Sequence, residues 1–299
     1  MMKFDEFKEK VAREMKQRLG EGEIILQNIM KNNDTRLTGL SIISPNTNLS
    51  PTIYLEKYYQ DLQSKTFAQV VDEIWKVYKD NRPTQDVNVA LFKRWDLAKA
   101  RIVMKLVNYE YNRELLKTVP YDRFLDLAVI YYYILDISEK GAATILIHNS
   151  HLDMWGVNKA ELKKMAYINY RKFYEVVIKR IEDVVLELIG ATGAELGIES
   201  DELQSSIYIV TNQMKLNGAT SMLFPEKLQE ISEQLGSDLY ILPSSIHEIL
   251  VCPKLGNDIE ELKEMVNEVN TTCVDKTERL SDSVYCYSRK SGRVDIAVE

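Results

Sequence analysis

The sequence predicts an α+β protein whose mixed or largely antiparallel sheet is built from strand pairs separated by single helices, with the helices mainly on one face. Two observations lead to this prediction. Short apolar runs recur in pairs around polar turns, as they do in β-hairpins. Between these pairs, apolar residues recur at helical spacing along one face only, so each helix has a single side to bury.

Residues 1–83 are predicted to form an N-terminal helix-hairpin-helix region. Phe4, Phe7, Val11 and Met15 share one helical face, and the glycines that follow end that helix. Thr66 is a favourable N-cap for the last helix of the region. The predicted elements are, in order, a helix over 3–19, a hairpin of 23–30 with 36–43, a short helix over 54–62, and a helix from 66 that stops at the linker 81–83.

Residues 84–190 are predicted to contain a strand pair followed by a long helix. The segment 101–107 fits either a strand or the end of a helix that starts at Asp96, and its isoleucine and valines favour the strand. A hairpin is expected from 123–136 and 142–149. Asn158, with Glu161 three residues later, begins a helix whose apolar stripe continues to Gly190. A polar, glycine-containing stretch then marks a boundary before residue 201.

Residues 201–299 are predicted to form a C-terminal region of strand pairs and helices. Pro225 fits the first turn of one helix, and Asp258 caps the other. The expected strand pairs are 207–211 with 219–224, 239–242 with 246–251, and 284–288 with 293–298, and the helices span 225–235 and 258–269. The three regions form either separate domains or one compact unit.

Composition narrows the classes of function. The chain has 299 residues, 45% of them hydrophobic, and a net charge of −7, which disfavours a general electrostatic affinity for nucleic acid. Its three cysteines form no CxxC pair, as expected in a reducing compartment. The charged N-terminus does not resemble a signal peptide, and the apolar run 127–135 is too short to span a bilayer. We therefore expect a cytoplasmic protein that does not enter membranes.

The segment Leu239–Val251 gathers hydroxyls, an imidazole and a carboxylate at one tight turn. If 246–251 is a strand, His247 and Glu248 point to opposite faces, whereas Ser245 shares the face of His247. A Ser/His hydrolase site is one interpretation, although no Gly-x-Ser-x-Gly motif is present. The favoured interpretation is a structural turn whose side chains form hydrogen bonds with the local backbone. The candidate catalytic residues are Ser244, Ser245, His247, Glu248 and Asn212.

Two further patterns could carry chemistry. His148 and His151 have a spacing that allows a metal site in a helix, but they lack further ligands nearby, so capping or hydrogen-bonding roles are favoured and no metal is predicted. The basic residues of a predicted helix over 159–180 could contact nucleic acid, but acidic residues interrupt them and favour a solvated face. No glycine pattern matches a nucleotide-binding loop, and no cofactor is predicted.

Several motifs together resemble a known family. They are Phe124–Ala128, Ile147–Gly156, Tyr208–Asn212 with Asn217–Ala219, Leu242–Glu248, and Leu280–Tyr285. The chain resembles an uncharacterised bacterial family, domain of unknown function fifty-six eighty-eight, over nearly its whole length. The resemblance implies no activity, cofactor or catalytic set. The expectation that remains is a binding or regulatory module that acts through contacts with a protein partner, with a Ser/His hydrolase as the alternative and nucleic-acid binding third.

Overall fold

The computed structural model describes residues 2–45, 50–82, 90–138, 141–190, 206–243 and 245–298. The chain forms two compact units, Met1–Leu91 and Phe92–Glu299. The predicted linker at 81–83 and the predicted boundary before residue 201 lie partly or wholly outside the described residues. In the described part of the chain, no helix is both long enough and apolar enough to cross a membrane.

The first unit packs three helices on a three-stranded antiparallel sheet of order β1-β2-β3. Phe7, Val11 and Met15 of the first helix are buried against the sheet residues Leu40 and Ile42, as the helical spacing predicts. Thr66 forms the predicted N-cap, in a capping box with Gln69. The elements are α1 (Phe4–Leu19), β1 (Glu23–Met30), β2 (Arg36–Ile43), β3 (Thr52–Tyr54), α2 (Leu55–Asp61) and α3 (Phe67–Asn81).

The second unit contains a four-stranded and a six-stranded sheet, and every strand pairing in them is antiparallel. The short helix α4 (Ala90–Lys93) includes the boundary between the units. The first part of the second unit comprises α5 (Trp95–Ala98), β4 (Ile102–Asn108), α6 (Arg113–Leu116), β5 (Tyr121–Phe124), β6 (Leu127–Ser138), β7 (Gly141–Leu146), α7 (Asn149–Trp155) and α8 (Lys159–Phe173). The second part comprises β8 (Val176–Arg180), α9 (Ile181–Ile189), β9 (Tyr208–Asn212), α10 (Pro225–Leu235), β10 (Leu239–Leu242), β11 (Ile249–Pro253), α11 (Ile259–Thr272), β12 (Tyr285–Ser288) and β13 (Arg293–Ile296). The predicted α+β class with largely antiparallel sheet is confirmed.

The single long helix predicted up to Gly190 is wrong, because it ends at Phe173. The β-branched run Val176-Val177-Ile178 favours extended backbone, and these residues pair with β9 at the edge of the six-stranded sheet. The chain then returns to helix as α9. The basic segment 159–180 is therefore part helix and part strand, with Lys179 and Arg180 on β8.

Two predicted strands also differ. The segment 123–136 is divided between β5 and β6 by a turn in which Leu125 has a left-handed φ of 56°. The segment 219–224 is a 3-10 helix over Gly218–Leu223 instead of a strand. The Ala219 N–H of this segment donates to Ile246 O and not to a paired strand. Strand β9 pairs with β8 and β11 instead.

The two long C-terminal helices pack on opposite faces of the six-stranded sheet, in contrast to the predicted single face. Leu239 and Ile241 of β10 share a core with Leu228 and Ile231 of α10. Tyr240 and Leu242, which point the other way, pack with Leu262 and Val266 of α11. Because β10 is apolar on both sides, each face of the sheet needs a cover.

Candidate functional site

The turn between β10 and β11 contains most of the candidate catalytic residues, and it is irregular. The predicted strand 246–251 begins only at Ile249. Ile246 donates its N–H to Glu278 O, and its carbonyl accepts from Ala219 N. These backbone hydrogen bonds are made to other segments and not between β10 and β11. The expected alternation of His247 and Glu248 across a strand therefore does not apply. Ser244 lies outside the described residues.

Ser245 is 6% exposed, and its hydroxyl oxygen accepts a hydrogen bond of 2.9 Å from the backbone N–H of His247. This is a local turn bond of the kind that serine commonly makes. Ser245 also forms an isolated β-bridge with Arg279. Among the described residues, no hydrogen bond joins the Ser245 hydroxyl to the His247 ring, so the structure does not assemble the expected Ser/His pair.

His247 links three segments of the chain. Its Nδ1 accepts from the backbone N–H of Asn217 at 3.3 Å, and its carbonyl accepts from the Thr211 hydroxyl at 2.7 Å. Because Nδ1 is the acceptor, the neutral ring carries its proton on Nε2, which lies 3.5 Å from a carboxylate oxygen of Glu278. The imidazole thus holds the turn to the loop after β9.

Gly218 is required where these segments meet. A Cβ at this position would lie 2.3 Å from the Thr211 hydroxyl and 2.4 Å from the His247 carbonyl, well inside contact distance. A glycine is therefore needed here for a close approach of backbones.

Asn212 and Glu248 take no part in a shared arrangement with Ser245. Asn212 is buried, and its side chain accepts from the N–H groups of Met214 and Leu216 and donates to Leu216 O. It closes the loop that leads to Gly218. Glu248 is half-buried, and within the described residues its side chain forms no hydrogen bond or ion pair.

His148 and His151 lie at the start of α7, where His148 is the N-cap residue. The His148 N–H donates to Nδ1 of His151 at 3.0 Å, which gives the second ring a capping role. Burial and the nearby His148 lower the pKa of His151. In the described part of the chain, no three His, Cys, Asp or Glu side chains come together to hold a metal ion.

A cluster centred on Asp126 was missed by the sequence reasoning. Its carboxylate accepts from the hydroxyls of Ser281 (2.7 Å), Ser283 (3.0 Å) and Tyr285. Burial and this carboxylate raise the pKa of Tyr285 far above its ordinary value, so the phenol stays protonated. The alternation Ser281-x-Ser283-x-Tyr285 was the available signal, since it places three hydroxyls on one side of an extended segment. The cluster fastens the turn before β6 to the segment before β12.

The basic side chains of 159–180 mostly face acids. Lys159 and Lys163 lie 3.2 Å and 3.6 Å from Asp122, and Arg171 pairs with Glu226. Lys179 pairs with Glu187 at 2.6 Å. This is the interrupted, solvated distribution of charge that the sequence favoured.

An open groove of about 640 Å³ lies between β8, α9 and α10. Its apolar lining comes from Ile178, Leu186, Tyr208 and Ile231, and its polar lining includes Lys179, Arg180, Asp183, Glu187, Glu230 and Gln234. Because the sequence predicted one long helix here, it gave no sign of this groove.

Helix α9 is unusual in being apolar without being buried. Its sequence is Ile-Glu-Asp-Val-Val-Leu-Glu-Leu-Ile, yet none of its described side chains is fully buried. Val185 and Ile189, one turn apart, are 50% and 58% exposed. Neither side chain is among the residues that line the groove, to which α9 contributes Asp183, Leu186 and Glu187.

The comparisons with known proteins assign no activity. A family model described as "Family of unknown function (DUF5688)" matches residues 4–289. No curated protein and no solved structure matches the chain.

Proposed function

The chain belongs to this family of unknown function, and we propose from its geometry that it is a cytoplasmic binding or regulatory module that acts through protein contacts. The open groove between β8, α9 and α10, called the docking groove from here on, would receive an apolar segment of a partner protein, with helix α9 as one of its walls. The observation that carries the proposal is the exposure of Val185 and Ile189 on an apolar helix next to the groove.

The composition of the groove fits a peptide segment. The apolar side chains that line the groove include Ile178, Tyr208 and Ile231, and these would contact apolar side chains of the partner. The lining also includes Asp183 and the Lys179–Glu187 ion pair, and polar groups of this kind fix the orientation of a bound chain more than they add affinity.

The polar clusters elsewhere support the same proposal. The side chains of Ser245, Asn212 and Asp126 form hydrogen bonds with other residues of the chain, and these bonds stabilise the fold. The three cysteines are all free, and burial raises the pKa of Cys252 to about 11, so this thiol stays protonated. Free thiols fit the proposed cytoplasmic location.

A crosslinking experiment tests the proposal. A photoreactive amino acid at position 185 of the full chain, expressed in its native cells, should crosslink a specific partner. The same group at Ile168 of α8 is the matched control, since Ile168 is also apolar and 56% exposed but lies on another helix. Crosslinks of equal yield and identity from both positions would contradict the groove as the docking site.

Calorimetry with the purified partner then measures the contribution of α9. We expect Val185→Asp to weaken binding by about tenfold or more, because a charge replaces a desolvated apolar contact. Ile168→Asp should leave the dissociation constant unchanged. Equal affinities of the wild type and Val185→Asp would refute the proposal.

A further inference from the structure

Strand β1 is an edge strand that lacks the usual protection against pairing. Among the described strands it pairs only with β2, and Leu26, Gln27 and Asn28 at its centre are exposed. Its sequence Glu-Ile-Ile-Leu-Gln-Asn-Ile-Met contains no lysine, arginine or proline. A long edge strand without lysine, arginine or proline is a template for pairing with another chain.

Several other edge strands of the described chain are protected. The backbone of β4 is hydrogen-bonded by side chains, since Asn169 donates to Ile102 O and Thr220 accepts from Leu106 N. Strands β5 and β13 have four residues each and carry charges, and β8 ends in Lys179 and Arg180. Strand β7 (Gly-Ala-Ala-Thr-Ile-Leu) is also uncharged, so β1 is distinguished by its length of eight residues and by the opposite charges, Glu23 and Lys31, at its two ends.

The hydrogen bonds of β1 show which of its backbone groups are available. The Lys31 N–H donates to Thr35 O at 2.8 Å, directly opposite in the β1–β2 register. Because bonding residues alternate along an antiparallel pair, the odd-numbered residues of β1 point their N–H and C=O groups toward β2. The backbone groups of Ile24, Leu26, Asn28 and Met30 therefore point to the open edge.

We infer that a second copy of this chain pairs antiparallel with β1, which would join the two three-stranded sheets into one six-stranded sheet. A two-fold axis that is perpendicular to the sheet and passes midway between the two copies of Gln27 keeps the same face of both copies on the same side. It places Ile24 opposite Met30 and Leu26 opposite Asn28, and these are the residues with available backbone groups. The inference concerns the first unit and is independent of the proposed docking groove.

The side chains are complementary in this register. On the other face of the strand, Ile25 of each copy lies opposite Ile29 of its partner. Exposed Glu23 lies opposite Lys31, so an ion pair forms at each end of the paired strands. The Lys31 ammonium lies 4.7 Å from the centre of the Tyr54 ring, which holds it on this same face. A shift of register would remove the Glu23–Lys31 pairing.

Sedimentation velocity over a concentration series tests the inference on the full chain. The wild type should show a reversible monomer–dimer equilibrium. Asn28→Pro should give a monomer, because proline removes an N–H that the monomer does not use, and its ring blocks the edge. Asn28→Ala keeps that N–H and should still dimerise. A monomeric wild type at every concentration, or an unaltered dimer of Asn28→Pro, would overturn the inference.

A charge exchange tests the register without relying on the proline variant. Glu23→Lys or Lys31→Glu alone should raise the dimer dissociation constant by about tenfold or more, because like charges then face each other at both ends. The double variant Glu23→Lys/Lys31→Glu should restore the wild-type constant. Single variants without effect, or a double variant that is not restored, would contradict the proposed pairing even if Asn28→Pro fails to fold.

Discussion

Replacing Leu262 by alanine tests the packing of α11 on its face of the six-stranded sheet. Leu262 is 7% exposed and belongs to a small core with Tyr240, Leu242, Val266 and Val284. Removing three carbon atoms loses about 2.4 kcal/mol of transfer free energy, at roughly 0.8 kcal/mol for each. A residual cavity of up to about 80 Å³ adds at most roughly 2 kcal/mol, and partial collapse near the surface reduces this term. We expect Leu262→Ala to lower the free energy of unfolding by about 2–4 kcal/mol.

The neighbouring Lys263→Ala is the matched control. Lys263 forms an exposed ion pair with Glu260, and pairs of this kind contribute about 0.5 kcal/mol or less. Since the chain forms two compact units, urea unfolding should be read by hydrogen exchange in peptides from β10 and β11, which lie beside Leu262. Equal midpoints for the two variants would show that Leu262 does not face the sheet.

Two further predictions concern Gly218, which lies between Thr211 and His247, and the capping residue His151. Gly218→Ala should destabilise the protein by about 2–4 kcal/mol in the same urea assay, because the new methyl group must separate Thr211 from His247 and break their hydrogen bond; a cost near zero would refute the close approach. His151 should titrate below its ordinary pKa of 6.5, as read by NMR. The folded state disfavours the charged ring, so stability is complete above the unfolded pKa and falls as the pH drops through it. The loss between pH 7 and 5 should be smaller in His151→Gln, and an identical pH profile would contradict this.

Much of the fold follows from local signals in the sequence. The side chains of Asn158 and Asp258 accept N–H bonds at the starts of α8 and α11 as predicted, and Gly236 ends α10 with a left-handed φ of 67°. Each of these signals acts within a few residues, so periodicity and capping suffice to locate the element.

The elements that the sequence misplaced depend on distant contacts. The run after Asn217 is apolar enough for a strand, but Gly218 must pass close to His247, and Ala219 bonds to Ile246. The stripe 174–188 satisfies helical spacing, yet its β-branched part pairs with β9. Whether such a run forms a helix or a strand is decided by the distant segment with which it pairs. The spacing of its apolar residues does not reveal that segment.

In the candidate site, too, the local contacts were predictable from the sequence and the distant contacts were not. The turn after Pro243 is visible in the sequence, and the local bond from His247 N to Ser245 is of the expected kind. The partners of the imidazole were not predictable, because Asn217 and Thr211 lie 30 and 36 residues away along the chain. The opposite placement of α10 and α11 had a signal, since all four residues of β10 are apolar and buried. A strand of that kind is covered on both faces.

We infer that the turn Ser245–Glu248 stabilises the fold, and we propose that partners bind at the docking groove. The most direct test pairs a thermal melt of His247→Gln with the crosslinking yield from position 185, measured well below the melting temperature. Losing the bond from Asn217 should cost about 1–2 kcal/mol and lower the Tm by roughly 2–8 °C, with the crosslinking yield unchanged. An unchanged Tm together with lost crosslinks would contradict the account, because the imidazole would then serve the partner instead of the fold.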